Sequence, residues 1–137
     1  ESVRQLHGGE LIHVNMIVET NEPMNNLGAL IRLNGHFGST VLAISSFYFH
    51  SEMEFAAGDP QVIVFEFEMP KISNGNYSFT LHLLQVENGT QQQLHSCYDA
   101  IVFDVANPQP LFNQDAGIII NNAVIKTIPV SQLYKGQ

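Results

Sequence analysis

Hydrophobic and polar residues alternate along much of the chain, and this period of two indicates β-strands rather than helices. The clearest example runs from Tyr77 to Leu83, where the apolar residues at odd positions point one way and Ser78, Thr80 and His82 point the other. The odd positions can form part of a core. The alternation therefore predicts a half-buried strand with a polar outer side.

The same signals recur along the rest of the chain. Turn residues separate the segments, notably Asn34–Gly35 and the Asn-Gly pair within residues 87–90, and residues 46–58 read as a long connection with some strand character. Pro129 indicates that the last strand lies at a sheet edge. About seven or eight strands at this spacing predict a single all-β domain, an antiparallel β-sandwich with a core over about 9–130. Further strands are predicted at 11–19, 28–34, 40–45, 62–69, 92–105 and 123–130.

Charge and cysteine content narrow the possible partners. The 137 residues carry a net charge of −8, from 13 acidic and 5 basic residues, so neither nucleic acid nor an anionic membrane surface is expected to bind. The single cysteine, Cys97, allows no internal disulfide, which fits a reducing compartment. No signal peptide or membrane-spanning run is apparent, and because the chain starts without Met we expect it to be one domain of a longer protein.

The outer sides of three predicted strands carry the candidate binding chemistry. In a Greek-key sandwich the strands at 28–34, 75–85 and 92–105 would be neighbours in one sheet. Few charges, many hydrogen-bonding groups and an aromatic ring suit a sugar, which offers CH faces to planar side chains and hydroxyls to short polar groups. An ordinary polar sheet surface is the alternative, because exposed Thr and His need no function. The predicted glycan-binding residues are Arg32, Asn34, Thr80, His82, His95 and Tyr98, with Ser78 on the same side.

Five segments of the chain, in this order, resemble one known family. They are followed by a late glycine, Gly117, and a final strand, so that the similarity extends from about residue 9 to residue 130. The segments are 9–12 (GELI), 27–35 (LGALIRLNG), 58–67 (GDPQVIVFEF), 75–81 (GNYSFTL) and 98–105 (YDAIVFDV). The family that they resemble is the C-terminal carbohydrate-binding domain of the ATP-binding subunit (Wzt type) of bacterial O-antigen ABC transporters.

This resemblance implies a fold, a function and a cellular setting. It implies an immunoglobulin-like sandwich that dimerises by exchanging a C-terminal strand and lies in the cytoplasm behind an N-terminal ATPase domain. Such a domain binds the modified non-reducing end of a finished O-antigen polysaccharide and selects it for export with the transporter's ATPase and membrane subunits. The chain itself lacks a G-x-x-x-x-G-K-[ST] phosphate loop, so it is not expected to hydrolyse ATP. It also lacks Trp, so Tyr98 or another ring would have to serve as the sugar platform.

The chemistry of the polymer end decides which residues matter most. An anionic end such as a phosphate would need Arg32, the only basic residue in the body of the predicted face, with protonated His82 or His95 assisting. A methyl group would need a small apolar pocket instead. An ordinary solvated arginine is the alternative for Arg32.

Metal binding and catalysis have weaker support. His50, Glu52 and Glu54 would share one side of a strand and could ligate a metal, but a solvated acidic edge explains them better, and we expect no metal or cofactor. Cys97 and His95 could form a reactive pair, although an inert cysteine is the commoner case. Because no hydrolase motif is present, we expect no enzyme activity.

A protein-interaction sandwich, similar to an adhesin or receptor domain, is the main rival hypothesis. In that case the strand at 123–130 would pair with a strand of a partner chain, and the polar outer side would bind no glycan.

Overall fold

The structure, a computed structural model, describes residues 5–49, 53–107 and 123–135. Within these ranges the chain forms nine strands and two short helices. In chain order they are β1 (Gln5–Leu6), β2 (Leu11–Val18), β3 (Met24–Asn34), β4 (Thr40–Ser45), α1 (Ser46–Phe49), β5 (Met53–Phe55), β6 (Gln61–Glu68), β7 (Gly75–Glu87), β8 (Thr90–Val105), β9 (Val124–Pro129) and α2 (Val130–Lys135).

The strands form two sheets that pack face to face. A six-stranded sheet has the order β1-β8-β7-β3-β4, with β5 also pairing with β3, and a three-stranded sheet has the order β2-β6-β9. All the pairs are antiparallel except β1 with β8. The predicted all-β sandwich is confirmed, and β3, β7 and β8 are adjacent as expected. The short strands β1 and β5 were not predicted, because two or three residues are too few to show a period.

The core lies between the two sheets and is rich in phenylalanine. Phe79 of β7 is 2% exposed and contacts Phe103 of β8 at a ring-centroid distance of 4.9 Å. It also meets Phe67 of the opposite sheet, edge to face, at 6.0 Å. These contacts join the two sheets through the same alternating residues that indicated strands.

Two turn predictions had different outcomes. Asn88 and Gly89 have φ values of 54° and 77° and join Glu87 to its paired residue Thr90, as expected for a two-residue hairpin turn. The turn after Asn34 is longer than a tight hairpin. Gly35 donates its N–H to the Ser39 carbonyl at 2.8 Å, and the positive φ belongs to Gly38, at 85°.

The irregular connection after β4 contributes a cover to the larger sheet. Ser46 in α1 is fully buried, and its Oγ accepts a hydrogen bond from the Ala29 N–H at 2.9 Å. The next residue, Phe47, lies over Gly28, where a Cβ atom would overlap its ring. The close approach of the Phe47 ring therefore favours glycine at this position, and Phe47 covers the outer side of β3 there.

The central strand of the smaller sheet is buried on both sides. Val62 and Val64 point away from the core, as predicted, yet they are only 0% and 5% exposed. β6 lies between β2 and β9, and α2 begins beside its first residue, where the Val130 N–H donates to the Pro60 carbonyl at 3.2 Å. An outward position in a strand pattern can therefore still be buried when the strand is the central one of its sheet.

Candidate functional site

The outer side of the six-stranded sheet presents polar residues in register. Arg32 of β3 lies beside Thr80 of β7, and Leu30 lies beside His82, which in turn pairs with Ser96 of β8. Further along the same two strands, Leu84 of β7 pairs with Gly28 of β3, which lies beneath Phe47, and Leu84 is 7% exposed. We use the term polar face for the outward residues of these three strands: Arg32, Asn34, Ser78, Thr80, His82, Ser96, Tyr98 and Asp99.

A bulge in β8 shapes the centre of the polar face. Phe79 pairs with Ile101 and Leu81 pairs with Cys97, so that Thr80 alone stands opposite residues 98–100. Asp99, in the middle of the bulge, has a φ of 49°, a left-handed conformation that Asp tolerates better than most residues. Bulges of this kind reorient side chains next to functional sites. Here the bulge places Tyr98 and Asp99 together above β7.

The Thr80 hydroxyl connects the bulge to the rest of the sheet. Thr80 is 2% exposed, and its Oγ1 accepts hydrogen bonds from the Asp99 N–H and from the Asn34 Nδ2, each at 3.0 Å. Ser78 Oγ donates to the Asp99 carboxylate at 2.6 Å, and Thr40 Oγ1 donates to Asn34 Oδ1 at 3.4 Å. No buried side-chain N or O atom of the described residues lacks a partner, so this network is complete.

His82 supports the exposed aromatic ring. Its Nδ1 lies 2.6 Å from Ser96 Oγ, and its ring meets the Tyr98 ring edge to face at a centroid distance of 5.8 Å. Burial lowers the pKa of His82 below its ordinary value, and the nearby charge of Arg32 lowers it further. The imidazole is therefore neutral at pH 7 and adds no positive charge to the polar face.

The residues of the polar face differ sharply in their exposure. Tyr98 is 69% exposed, whereas Thr80 and His82 are 2% and 4% exposed. Asp99 is exposed, and Arg32 and Asn34 are half-buried. A ligand can therefore touch the Tyr98 ring and the Asp99 carboxylate, while Thr80 and His82 hold these groups in place from below.

Five of the six predicted site residues come together on the polar face: Arg32, Asn34, Thr80, His82 and Tyr98. The placement of His95 on the outer side of the sheet was wrong. His95 pairs with Leu83 and so points to the inner side of the sheet. His95 lies six residues before Ile101, an even number, so alternation puts both residues on the same, inner side of β8. The bulge adds two residues to β8, and an even insertion does not change that side. Ser96 occupies the position next to His82 instead.

The sequence prediction missed Ser96 and Asp99. Strict alternation would pair Leu81 with Asp99 and so would put Asp99 on the inner side. The bulge brings Asp99 outward, and no pattern in the sequence announced the bulge. Burial of Thr80 and His82 was also unexpected, because the alternation only shows that they point away from the core.

His95 lines a separate cleft at the open side of the sandwich. The cleft lies between β2 and the paired strands β7 and β8, and its volume is about 620 Å³. Its wall is mainly apolar and includes Met16, Met24, Leu83 and Leu94; Glu19 and Glu22 also line it.

The remaining candidates carry little chemistry. His50 and Glu52 lie outside the described residues, and the described part of the chain places no three His, Cys, Asp or Glu side chains close enough to hold a metal ion. Cys97 is exposed and forms no disulfide. None of the helices in the described ranges has the length and hydrophobicity needed to cross a membrane.

Comparisons with known proteins agree with the architecture. The family model of the Wzt C-terminal domain matches residues 1–119. A solved structure described as the crystal structure of the C-terminal domain of Wzt is similar with a TM-score of 0.68 and 19% identity, over 80% of this chain and 67% of that one. No curated protein matches the sequence. Because the family model covers most of the chain, this protein belongs to the Wzt C-terminal domain family.

Proposed function

We propose that this chain recognises the modified non-reducing end of an O-antigen polysaccharide and thereby selects the finished polymer for export by an ABC transporter. Membership of the Wzt C-terminal domain family supports a carbohydrate-binding role in polysaccharide transport. The recognition of a polymer end is the finer part of the proposal, and it rests on the polar face.

One observation carries this proposal: an exposed aromatic ring over His82 and a carboxylate over Ser78 stand on a fully hydrogen-bonded base, with Thr80 between them. Tyr98 offers a planar surface for the CH groups of a sugar ring, and Asp99 offers acceptor oxygens for hydroxyls. Thr80 fixes the backbone of Asp99, and His82 contacts the edge of Tyr98. Such preorganisation reduces the entropy lost when a ligand binds.

Two features border the polar face. Phe47 covers the sheet above Gly28, and the bulge at 98–100 holds Asp99 over the outer side of β7. Arg32 and Asn34 extend the surface across β3. In this proposal the terminal sugar lies between these borders.

The proposal includes no catalysis. The family fold is that of a non-catalytic binding domain. The polar face does place a hydroxyl beside an imidazole, Ser96 Oγ 2.6 Å from His82 Nδ1, but no other side chain of the described residues hydrogen-bonds to that imidazole to orient it, as a catalytic base requires. His82 is engaged by Ser96 and Tyr98 and is buried, so it is a positioning residue and does not act as a proton shuttle.

We also propose the setting in which the domain works. The chain is a single domain that follows an ATPase domain in a longer transporter subunit, forms a homodimer by exchanging its C-terminal strand, and acts at the cytoplasmic face of the inner membrane. Its partners are then the polymer terminus, the ATPase and the membrane subunits of the transporter. The segment before β9 lies outside the described residues. The molecular mass of the protein in solution tests the exchange, since the proposal predicts the mass of a dimer.

Calorimetric titration with purified O-polysaccharides tests the proposed function. Each polymer is offered with and without its terminal modification. We expect heat of binding only for the modified polymer, with about one polymer end bound per chain. Equal binding of both forms would remove end recognition, and no binding to any polymer of the panel would contradict the proposal as a whole.

A second candidate function, strand addition to a protein partner, is favoured by one observation. β9 pairs with β6 on one side only and is an edge of the smaller sheet among the described strands. Edge strands offer unpaired backbone groups to a partner chain. Replacing Thr127 with Pro removes one backbone donor from this strand; loss of a protein complex with retained glycan binding would separate the two functions.

A further inference from the structure

The charged groups of the polar face balance each other. Arg32 is the only Lys or Arg among the eight residues that define it, and Asp99 is their only carboxylate; Asp104, which also points outward, lies beyond Val102 near the end of β8, opposite Asn76. Neither is neutralised by an ion pair, since the salt bridges of the described residues involve His7 with Glu10 and His13 with Glu66. His82 contributes no charge while it is buried against Ser96 and Tyr98.

We propose that the terminal sugar bound by the polar face is uncharged, and that the Asp99 carboxylate is the principal acceptor for its hydroxyl groups. This inference rests on the proposed function and specifies its ligand. It replaces the two open possibilities for the polymer end, an anionic group or a neutral one, with the neutral one.

The position of Asp99 is the main reason. Its carboxylate projects from the bulge over Ser78 and, among the described residues, accepts one hydrogen bond, from Ser78 at 2.6 Å. An ionised carboxylate has about four acceptor sites, so most of them remain available to a ligand. A sugar hydroxyl donates to such an oxygen, whereas a phosphate oxygen next to it is repelled.

The scarcity of positive charge gives a second reason. A phosphate monoester carries about −1.5 to −2 charges at neutral pH, and the polar face supplies one cation. Of the other basic residues, Lys126 pairs with Val64 on the outer side of the smaller sheet, and Lys71 packs against Gly8 before β7. The whole chain has a net charge of −8, which further disfavours an anionic end.

Arg32 fits a neutral ligand as well. Its guanidinium presents five N–H donors and no acceptor, while Asp99 presents acceptors only. Donors on β3 and acceptors on the bulge, with Thr80 between them, match a polyol whose hydroxyls both donate and accept.

The test uses two polymers of the same repeat, one ending in an O-methylated neutral sugar and one ending in a phosphomonoester. Both are titrated calorimetrically into the full chain and into Asp99→Asn. Asn tolerates the left-handed conformation at this position and still accepts from Ser78, so the variant removes charge and leaves the bulge in place. Asp104→Asn, an exposed change of the same charge in β8 opposite Asn76, is the matched control.

We expect the neutral-ended polymer to bind and the phosphate-ended polymer to bind at least tenfold more weakly. Asp99→Asn should weaken binding of the neutral end about tenfold, and Asp104→Asn should change it less than twofold. Preference for the phosphate-ended polymer, with tighter binding in Asp99→Asn, would overturn this inference and leave the proposed function standing. Binding of neither polymer would overturn both.

Discussion

The outer sides of the two sheets both carry polar residues in alternating patterns, but these residues differ in burial and in hydrogen bonding. On the six-stranded sheet, Thr80 and His82 are almost completely buried and joined to neighbouring strands by hydrogen bonds. On the three-stranded sheet, His13 and Glu66 form a pair at 2.6 Å that remains partly exposed, between Leu11 and Ile17, which are 62% and 60% exposed. Alternation predicts polar outward residues in both places. Only the first set is organised into a complete network.

The difference shows where a function can be built. A buried hydrogen-bonded network holds its members in one arrangement, because breaking any bond leaves an unpaired polar group. An exposed ion pair competes with water and fixes little. The polar face is therefore rigid enough to position Tyr98 and Asp99, whereas the other outer side carries ordinary surface chemistry.

Thr80→Val tests this contrast with the largest expected effect. The change keeps the shape but removes the acceptor for Asn34 Nδ2 and the Asp99 N–H. We expect the free energy of unfolding in urea to fall by about 1–3 kcal/mol. Thr127→Val, the same change at an exposed site of β9, should cost less than about 0.5 kcal/mol. Equal costs would show that the network adds nothing.

Tyr98→Ala tests the ligand-contacting part of the polar face. The ring is 69% exposed, so its removal should change stability by less than about 0.5 kcal/mol. Binding of the modified polymer should weaken about tenfold, which corresponds to about 1.4 kcal/mol. Tyr98→Phe keeps the ring and should retain most of the affinity measured by calorimetry. Unchanged affinity in Tyr98→Ala would place the glycan elsewhere.

The pH dependence of stability tests the burial of His82. Its pKa is lowered in the folded state by burial and by Arg32, so below pH 6.5 the unfolded state takes up a proton that the folded state does not. The contribution of neutral His82 is therefore complete above pH 6.5 and declines as the pH falls toward the folded-state pKa. Urea unfolding at pH 7.5 and 5.5 should show the gap between wild type and His82→Asn narrowing at the lower pH. A gap that widens would mean that His82 is protonated in the fold.

His13→Ala supplies the smallest effect and completes the comparison. The His13–Glu66 pair is partly exposed, and such pairs contribute about 0–1 kcal/mol. We expect a loss below about 0.5 kcal/mol in the free energy of unfolding in urea. A loss as large as that of Thr80→Val would show that the outer side of the smaller sheet is also organised.

Sequence reasoning recovered the fold better than the site. Period-two patterning located β2, β3, β4, β6, β7, β8 and β9, because each of these strands has enough residues to show alternation. The turn at Asn88–Gly89 was also readable, since both residues favour positive φ. The helix α1, which places Phe47 over Gly28, was not predicted, because four residues carry too little pattern.

The site depended on information that alternation does not contain. Adjacency of β3, β7 and β8 was correctly predicted and was enough to gather Arg32, Thr80 and Tyr98. The outward orientation of Asp99 was not predicted, because it arises from a bulge held by the Thr80 hydroxyl. His95 is the opposite case, because here the sequence pattern was sufficient. Alternation counted back from the inward Ile101 already puts His95 on the inner side.

The most direct test of glycan binding at the polar face is a residue-resolved titration. Amide chemical shifts of the isotope-labelled chain would be followed by NMR as the modified O-polysaccharide is added. We predict saturable shifts at residues 96–100 and at Arg32 and Thr80, with no change at Asn15, Val64 and Lys126 on the smaller sheet. Shifts confined to the smaller sheet or to the cleft beside His95 would contradict the account.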